Sequence, residues 1–365
     1  ARLAQETPLL VECMRRGFRL WDELLAETGI QCYQKVGGID IGSPEDVKAV
    51  VDSFNASKVD YEILDAANLA KRAPMLSLLP GENAVYNSSG AVVFADKALE
   101  ALEVGMAKEG VTVYRDEIVS NVDTKEKMII TTNGRRLPYD KLVLCTGPWI
   151  NSSLRAASLR LLPVAASNEQ CVFFVPKNPD DAAQYGLGTM PVIIDRKGWF
   201  YALPIVPGGT PGVKTAVHRQ GPLLQNSEFI LPPVAGDIAH RPRPRISVVQ
   251  SHSIDATMLG MVQDEVTERF KGLDTEPDTY LRCLYSNNLE DGEFIVGSHP
   301  DNRDVFVAAG FTGEGFKFGT FIGELLASMV VGDKPTIPQA ALEFRPDRLS
   351  LADPDCDLKN RCRGP

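Results

Sequence analysis

Between Pro8 and Glu27, apolar side chains return at every third or fourth position: Leu10, Met14, Phe18, Trp21, Leu24 and Leu25. That period predicts an amphipathic helix, with Gly29 as its stop. The next run, "CYQKVGGIDIG", alternates and reads as two strands joined at a glycine bend. Helices are expected over about 44–55 and 66–72. A second helical stripe, Ala95, Ala98, Leu99, Leu102 and Met106, ends at Gly110, and "VTVYR" after it reads as a strand. "KMIITTNGRRLPYDKLVLCTGPW" predicts a strand, a turn at Asn133–Gly134 and a second strand, "KLVLCTG". That apolar strand runs into a Gly-Pro turn, as a buried sheet strand does at a ligand crevice.

Residues 151–283 are strand-rich and punctuated by proline and glycine, which predicts a separate sheet domain with one helix over 254–271. "EFIVGSHP" and "DVFVAAG" then lead to the clearest helix of the chain. Phe318, Phe321, Ile322, Leu325, Leu326, Met329 and Val330 line one face of it, and Gly332 is placed to cap it. The last fifteen or so residues are polar and are expected to lack order. No internal repeat is visible.

Composition narrows the classes. The chain has 365 residues, 44% of them hydrophobic, enough for two domains with sizeable cores. With 38 basic and 48 acidic residues its formal net charge is −10, which argues against nucleic acid or an anionic membrane as a partner. No run of about eighteen apolar residues occurs, so no membrane span is expected. The seven cysteines are scattered and include no Cys-x-x-Cys. Cys145 and Cys171 sit in apolar runs, where buried reduced thiols are expected, and this suits an intracellular compartment. Cys356 and Cys362 lie in the polar tail and carry no reading. Only four histidines are present, none at ligand spacing, so no metal site is expected. No signal-peptide pattern is read at the start, and "NRCRGP" at the end is not a Ser-Lys-Leu peroxisomal address.

One stretch carries candidate chemistry. "GFTGEGFKFG", Gly310–Gly319, lies between an apolar strand and the final helix. A glycine-rich turn there presents free backbone N–H groups and the positive end of a helix dipole, which suits an electron-rich or anionic group. Its spacing fits neither common phosphate motif. Phe316 separates Gly315 from Lys317, which breaks a P-loop, and Gly313-Glu-Gly315 leads to Phe318 where a dinucleotide fingerprint needs glycine. On spacing alone, a tight turn that needs small residues is the plainer reading.

The wider segment "AAGFTGEGFKFGTFIGEL" resembles the AGFSGHGFK segment of the amine-oxidising flavoproteins related to D-amino acid oxidase, the sarcosine and pipecolate oxidase group. "RGFRLWDELLAETG", "NSSGAVVFADKALEALE", "YDKLVLCTGPW", "GVKTAVH" and "RCLYSNNLEDGEFIVGSHP" agree with that group in order and spacing. The resemblance covers residues 2 to about 346. It implies a mixed α/β fold: a Rossmann-like FAD-binding domain of the glutathione-reductase type plus a second domain built on a mixed, largely antiparallel sheet. The implied boundaries are 1–29, 88–150 and 284–346 for the FAD domain, 30–87 and 151–283 for the substrate domain, and 347–365 for a tail.

The resemblance implies that the loop Gly310, Phe311, Thr312, Gly313, Glu314, Gly315 lies over the flavin ring, not over phosphate. Its amides then face the pyrimidine edge, where charge builds on reduction. Lys317, otherwise an ordinary surface lysine, matches a residue that binds the substrate carboxylate together with the arginine matched by Arg2. Lys214 and His218, four apart and expected on one strand face, match a lysine that promotes O2 reduction and a histidine beside the substrate amine. Cys283, otherwise a packing residue, matches the cysteine bonded covalently to the flavin. Tyr285 matches a pocket tyrosine. Phe200 matches a pocket aromatic and reads equally as core. Ile118 is expected to meet the adenosine end through its backbone. Where the resembling proteins carry His, this chain has Glu314, whose side chain is expected to point outward.

The G-x-G-x-x-G segment that opens such proteins is not found. The chain is expected to begin about fifty residues into the pattern, as a fragment or a truncated form. The implied function is FAD-dependent oxidation of a secondary or N-methyl amino acid by a monomer, with O2 reduced to H2O2 and a peroxisomal or cytoplasmic location. A dehydrogenase with another acceptor and a non-catalytic relative remain open alternatives.

Overall fold

The computed structural model describes residues 1–224 and 255–354. Along the chain lie α1 (Pro8–Thr28), β1 (Tyr33–Lys35), β2 (Gly38–Gly42), α2 (Lys48–Ser57), β3 (Glu62–Leu64), α3 (Ala66–Arg72), β4 (Asn83–Asn87), β5 (Ala91–Val93) and α4 (Ala95–Lys108). Next come β6 (Val119–Asp123), β7 (Met128–Thr131), β8 (Arg136–Pro138), β9 (Leu142–Leu144), α5 (Ile150–Ala156), β10 (Val164–Phe174), β11 (Val192–Asp195), β12 (Phe200–Leu203) and β13 (Val213–Val217). α6 (Ala256–Arg269), β14 (Thr279–Asn288), β15 (Ile295–His299), β16 (Asn302–Ala309), α7 (Gly315–Val331) and α8 (Pro338–Glu343) complete the described chain.

The predicted helices form where their periods and caps put them. Thr7 caps α1 and Gly29 ends it in the left-handed conformation. Asp65 caps α3, and Gly332 ends α7 at φ 81. The fold is mixed α/β, as expected.

Two compact units divide the chain. One holds Ala1–Gly110, Glu169–Gly221 and the described residues from Asp255 to Cys283. Its centre is the mostly antiparallel sheet ordered β14-β10-β13-β12-β11-β2-β4-β3, in which β11 and β2 run parallel. One sheet face, with Val172, Phe174, Phe200, Val213 and Val217, joins Met258, Val262 and Val266 of α6 in a buried apolar cluster. The other unit holds Val111–Asn168 and Leu284 onward among the described residues. In it β16 pairs parallel with β9 and antiparallel with β15, while β6, β7 and β8 form a separate antiparallel sheet. α5 and the segment 159–164 cover the β9–β16 core.

Four local expectations are corrected. "VTVYR" is irregular: no described strand pairs with it, Val111, Val113 and Tyr114 are exposed, and β propensity without a partner strand does not hold a strand. The hairpin partner of β7 is β8, and "KLVLCTG" supplies β9 in the other sheet instead. Cys145, expected buried, is exposed just beyond the last paired residue of β9. The expected tail is partly packed: Leu349 and Ala352 are buried, and Leu161 and Ala352 exchange backbone hydrogen bonds of 2.7 and 3.0 Å. Residues 355–365, with Cys356 and Cys362, lie outside the described residues. By contact, residues 1–29 and 88–110 group with the large sheet, where α1 packs against α2 and α4, and residues 151–168 group with the small one.

Candidate active site

The glycine loop is held in shape by the unit that contains β16 and α7. Gly310, Thr312 and Gly313 all take the left-handed conformation, at φ 64, 51 and 83. For threonine this is costly, and local bonds offset it. Its N–H donates to Ser286 O at 2.8 Å, and its Oγ1 lies 3.0 Å from Gly310 O and 3.1 Å from Gly292 O. The Glu314 N–H turns back onto Phe311 O at 2.9 Å. Beneath the loop, Phe294 contacts the rings of Phe311 and Phe318, each at 5.2 Å between centroids.

Glycine is required at two points by space as well as by angle. A Cβ on Gly313 would sit 2.1 Å from Tyr285 Cε2, and one on Gly315 would sit 2.6 Å from the Phe311 ring. The Tyr285 ring therefore packs directly against Gly313 of the loop. Cys283 lies two residues earlier on the same face of β14, half-buried and not in a disulfide.

α7 begins at Gly315, and its N-cap, Glu314, makes no side-chain cap bond. The first-turn N–H groups are thus not taken up by the N-cap side chain. Lys317 stands in that first turn, its Nζ 2.5 Å from Glu314 Oε2. The Glu314 side chain folds along the helix onto Lys317, because the two are one turn apart and oppositely charged.

The other predicted residues lie in the unit of the large sheet, except Ile118. Lys214 occupies β13, opposite Phe173 of β10 and Leu203 of β12. It shares a sheet face with Tyr201, Leu203 and Ala216, away from the apolar cluster. His218 lies in the turn one residue past β13, its N–H donating to Trp199 O at 2.9 Å and its ring 6.1 Å from the Trp199 ring. Phe200 falls on the core face, fully buried and edge-on to Phe270 at 6.2 Å. Tyr201, which sequence reading missed, is the aromatic on the Lys214 face, and the alternation of β12 was the signal for it. Ile118 gives its carbonyl to the Thr132 N–H at 2.8 Å, at the start of the β6–β7 pairing.

Arg2 is paired. Its Nη1 lies 3.0 Å from Asp40 Oδ1 and 2.5 Å from Ala4 O. Asp40 is buried on β2 and also accepts from Arg196 Nε at 2.6 Å, while Arg196 Nη1 reaches Glu6 at 2.9 Å. Sequence reading missed Asp40 and Arg196, although an aspartate inside the apolar "GGIDIG" was a visible anomaly.

The residues present fit the ring end of a flavin. A helix N-terminus that its N-cap side chain does not cap, preceded by a glycine loop, suits a flat, electron-accepting edge. Among the described residues, no group of three or more His, Cys, Asp or Glu is placed to hold a metal ion, and no helix is long and apolar enough to cross a membrane.

Comparison with known proteins agrees with that chemistry. The family model for FAD dependent oxidoreductases, DAO, matches residues 2–329. Peroxisomal sarcosine oxidase of Mus musculus is 26% identical over 350 residues, covering 94% of this chain and 82% of its own. Monomeric sarcosine oxidase of Streptomyces avermitilis is 25% identical over 362 residues, covering 95% and 85%. Among solved structures, L-proline dehydrogenase from P. horikoshii superposes with a TM-score of 0.73 at 18% identity, over 95% of this chain and 85% of that one. Glycine oxidase from Geobacillus kaustophilus gives 0.70 at 18% identity, over 94% and 83%. With a family model that matches residues 2–329, the chain belongs to the DAO family of FAD-dependent oxidoreductases.

Proposed function

We propose that this protein is an FAD-dependent amine oxidase acting on a secondary or N-methyl amino acid of the sarcosine or pipecolate type. The observation that carries the proposal is the uncapped N-terminus of α7 behind the Gly310–Gly315 cradle, with Lys317 in its first turn. The similarity to peroxisomal and monomeric sarcosine oxidases supports the substrate class.

When bound, FAD supplies a two-electron acceptor for oxidation of the amine C–N bond and a route for those electrons to O2, so that an imine and H2O2 are the products. The chain's own residues then have separate tasks. The α7 amides and the loop hold the ring edge where negative charge develops. Cys283 is the proposed point of covalent attachment. Lys317 and Arg2 receive the substrate carboxylate as cations. Lys214 places a positive charge where superoxide-like charge develops on O2. His218 and Tyr285 line the amine side, and the imine product is hydrolysed by water.

The test is made on purified protein incubated with FAD and precipitated with acid. Flavin retained in the wild-type pellet and lost from Cys283→Ala supports the assignment. A colourless protein that takes up no FAD would falsify the enzyme reading for this chain.

A further inference from the structure

Glu314 sits where an external anion would be expected. It occupies the N-cap of α7, where the helix dipole favours negative charge. Its carboxylate does not cap the helix but reaches Lys317 Nζ at 2.5 Å. Both side chains are largely withdrawn from solvent, at 30% and 16% exposure, so the pair is less screened than a surface ion pair. The cation proposed for the substrate acid group is therefore already neutralised by the chain. In the other unit, Arg2 likewise carries its own counter-ion, Asp40.

We propose that Glu314 is a specificity-determining residue: an internal carboxylate that competes with the acid group of the substrate for Lys317. This rests on the reading of Lys317 as the cation that receives that acid group. A free amino acid must then displace Glu314 or share Lys317 with it, and two like charges on one cation weaken binding. An amine whose acid group is masked as an ester or amide escapes that competition. Glu314 thus sets how tightly the free acid group of an amino acid is held, and a masked acid group is indifferent to it.

Calorimetry on FAD-loaded protein separates the possibilities, using methoxyacetate, which has the shape of an N-methyl amino acid but no amine to oxidise, and its methyl ester. Glu314→Gln keeps the shape of the side chain and removes only its charge. It should bind the acid at least tenfold more tightly than wild type and the ester equally. In turnover with N-methylglycine the same gain should fall in KM and not in kcat. Adding Lys317→Met to Glu314→Gln should abolish the gain. If Glu314→Gln binds the acid no more tightly while Lys317→Met weakens it, the competition is wrong and the docking role of Lys317 stands. If the double variant binds the acid as tightly as Glu314→Gln alone, or if neither wild type nor Glu314→Gln binds it at all, the docking role fails and the inference with it.

Discussion

Gly313 concentrates two constraints in one residue. Its φ of 83 lies in the left-handed region, and the Tyr285 ring fills the space that a Cβ would need. The angle alone costs an alanine about 1–2 kcal/mol, and the overlap adds to it. Gly313→Ala is expected to lower stability by about 2 kcal/mol or more, read from the urea midpoint, and to weaken FAD uptake in parallel. The control is Gly319→Ala, where no atom beyond its chain neighbours and its own helix backbone stands within 4 Å of the added methyl; it should be near neutral or slightly stabilising. Equal losses in the two variants would show that the loop does not constrain its shape in this way. Thr312 makes the complementary point, because its positive φ persists through the three oxygen atoms its N–H and hydroxyl reach.

The β11–β12 hairpin shows how one buried ion network aligns several elements. Asp195 Oδ1 accepts the N–H groups of Lys197 and Gly198 in the turn, at 2.7 and 2.8 Å. Its other oxygen receives Arg269 of α6, a nearly fully buried arginine that also pairs with Glu82 at 2.8 Å and Glu265 at 2.6 Å. The turn so fixed carries Trp199, and Trp199 O anchors His218. Burial pushes the Glu82 carboxyl up, but Arg269 and the Leu79 N–H outweigh it and hold it below the ordinary value of 4.5. A depressed acid stabilises the fold above its unfolded value and loses that contribution as pH falls through the folded one. Wild type should therefore exceed Glu82→Gln by roughly 1–3 kcal/mol at pH 7, with the gap closing below about pH 4.5. Denaturant titrations at several pH values check this, and a gap that widens on acidification would reverse the assigned sign.

For the protein taken entire, family membership and charge bear on the reaction. The match over residues 2–329 makes a flavin oxidoreductase of the chain, and the net charge of −10 gives no attraction for polyanions. A panel of secondary and N-methyl amines, run in air with FAD supplied, is expected to yield one H2O2 per imine formed. Reduction of an artificial dye without peroxide in air would assign the electrons to another acceptor and sink the oxidase reading.

What could be read from the residues alone was whatever depends on near neighbours in the chain. α1 and α7 were legible because the 3.6-residue period and the stops Gly29 and Gly332 lie within a few positions of what they control. The Gly310–Gly315 loop was legible because its glycines announce left-handed backbone before a helix. Pairing across long separations was not. β9 joins β16 across more than a hundred and fifty residues, so "KLVLCTG" could not be assigned its partner, and "VTVYR" could not be seen to lack one. Phe200 went to the core and Tyr201 to the Lys214 face because a strand's register, set by its partners, decides which alternate side chains are buried. The two cations matched to a substrate acid group were visible as residue types. Their counter-ions emerged from the folded chain: Asp40 was brought to Arg2 by sheet packing, and Glu314 to Lys317 by the first turn of a helix.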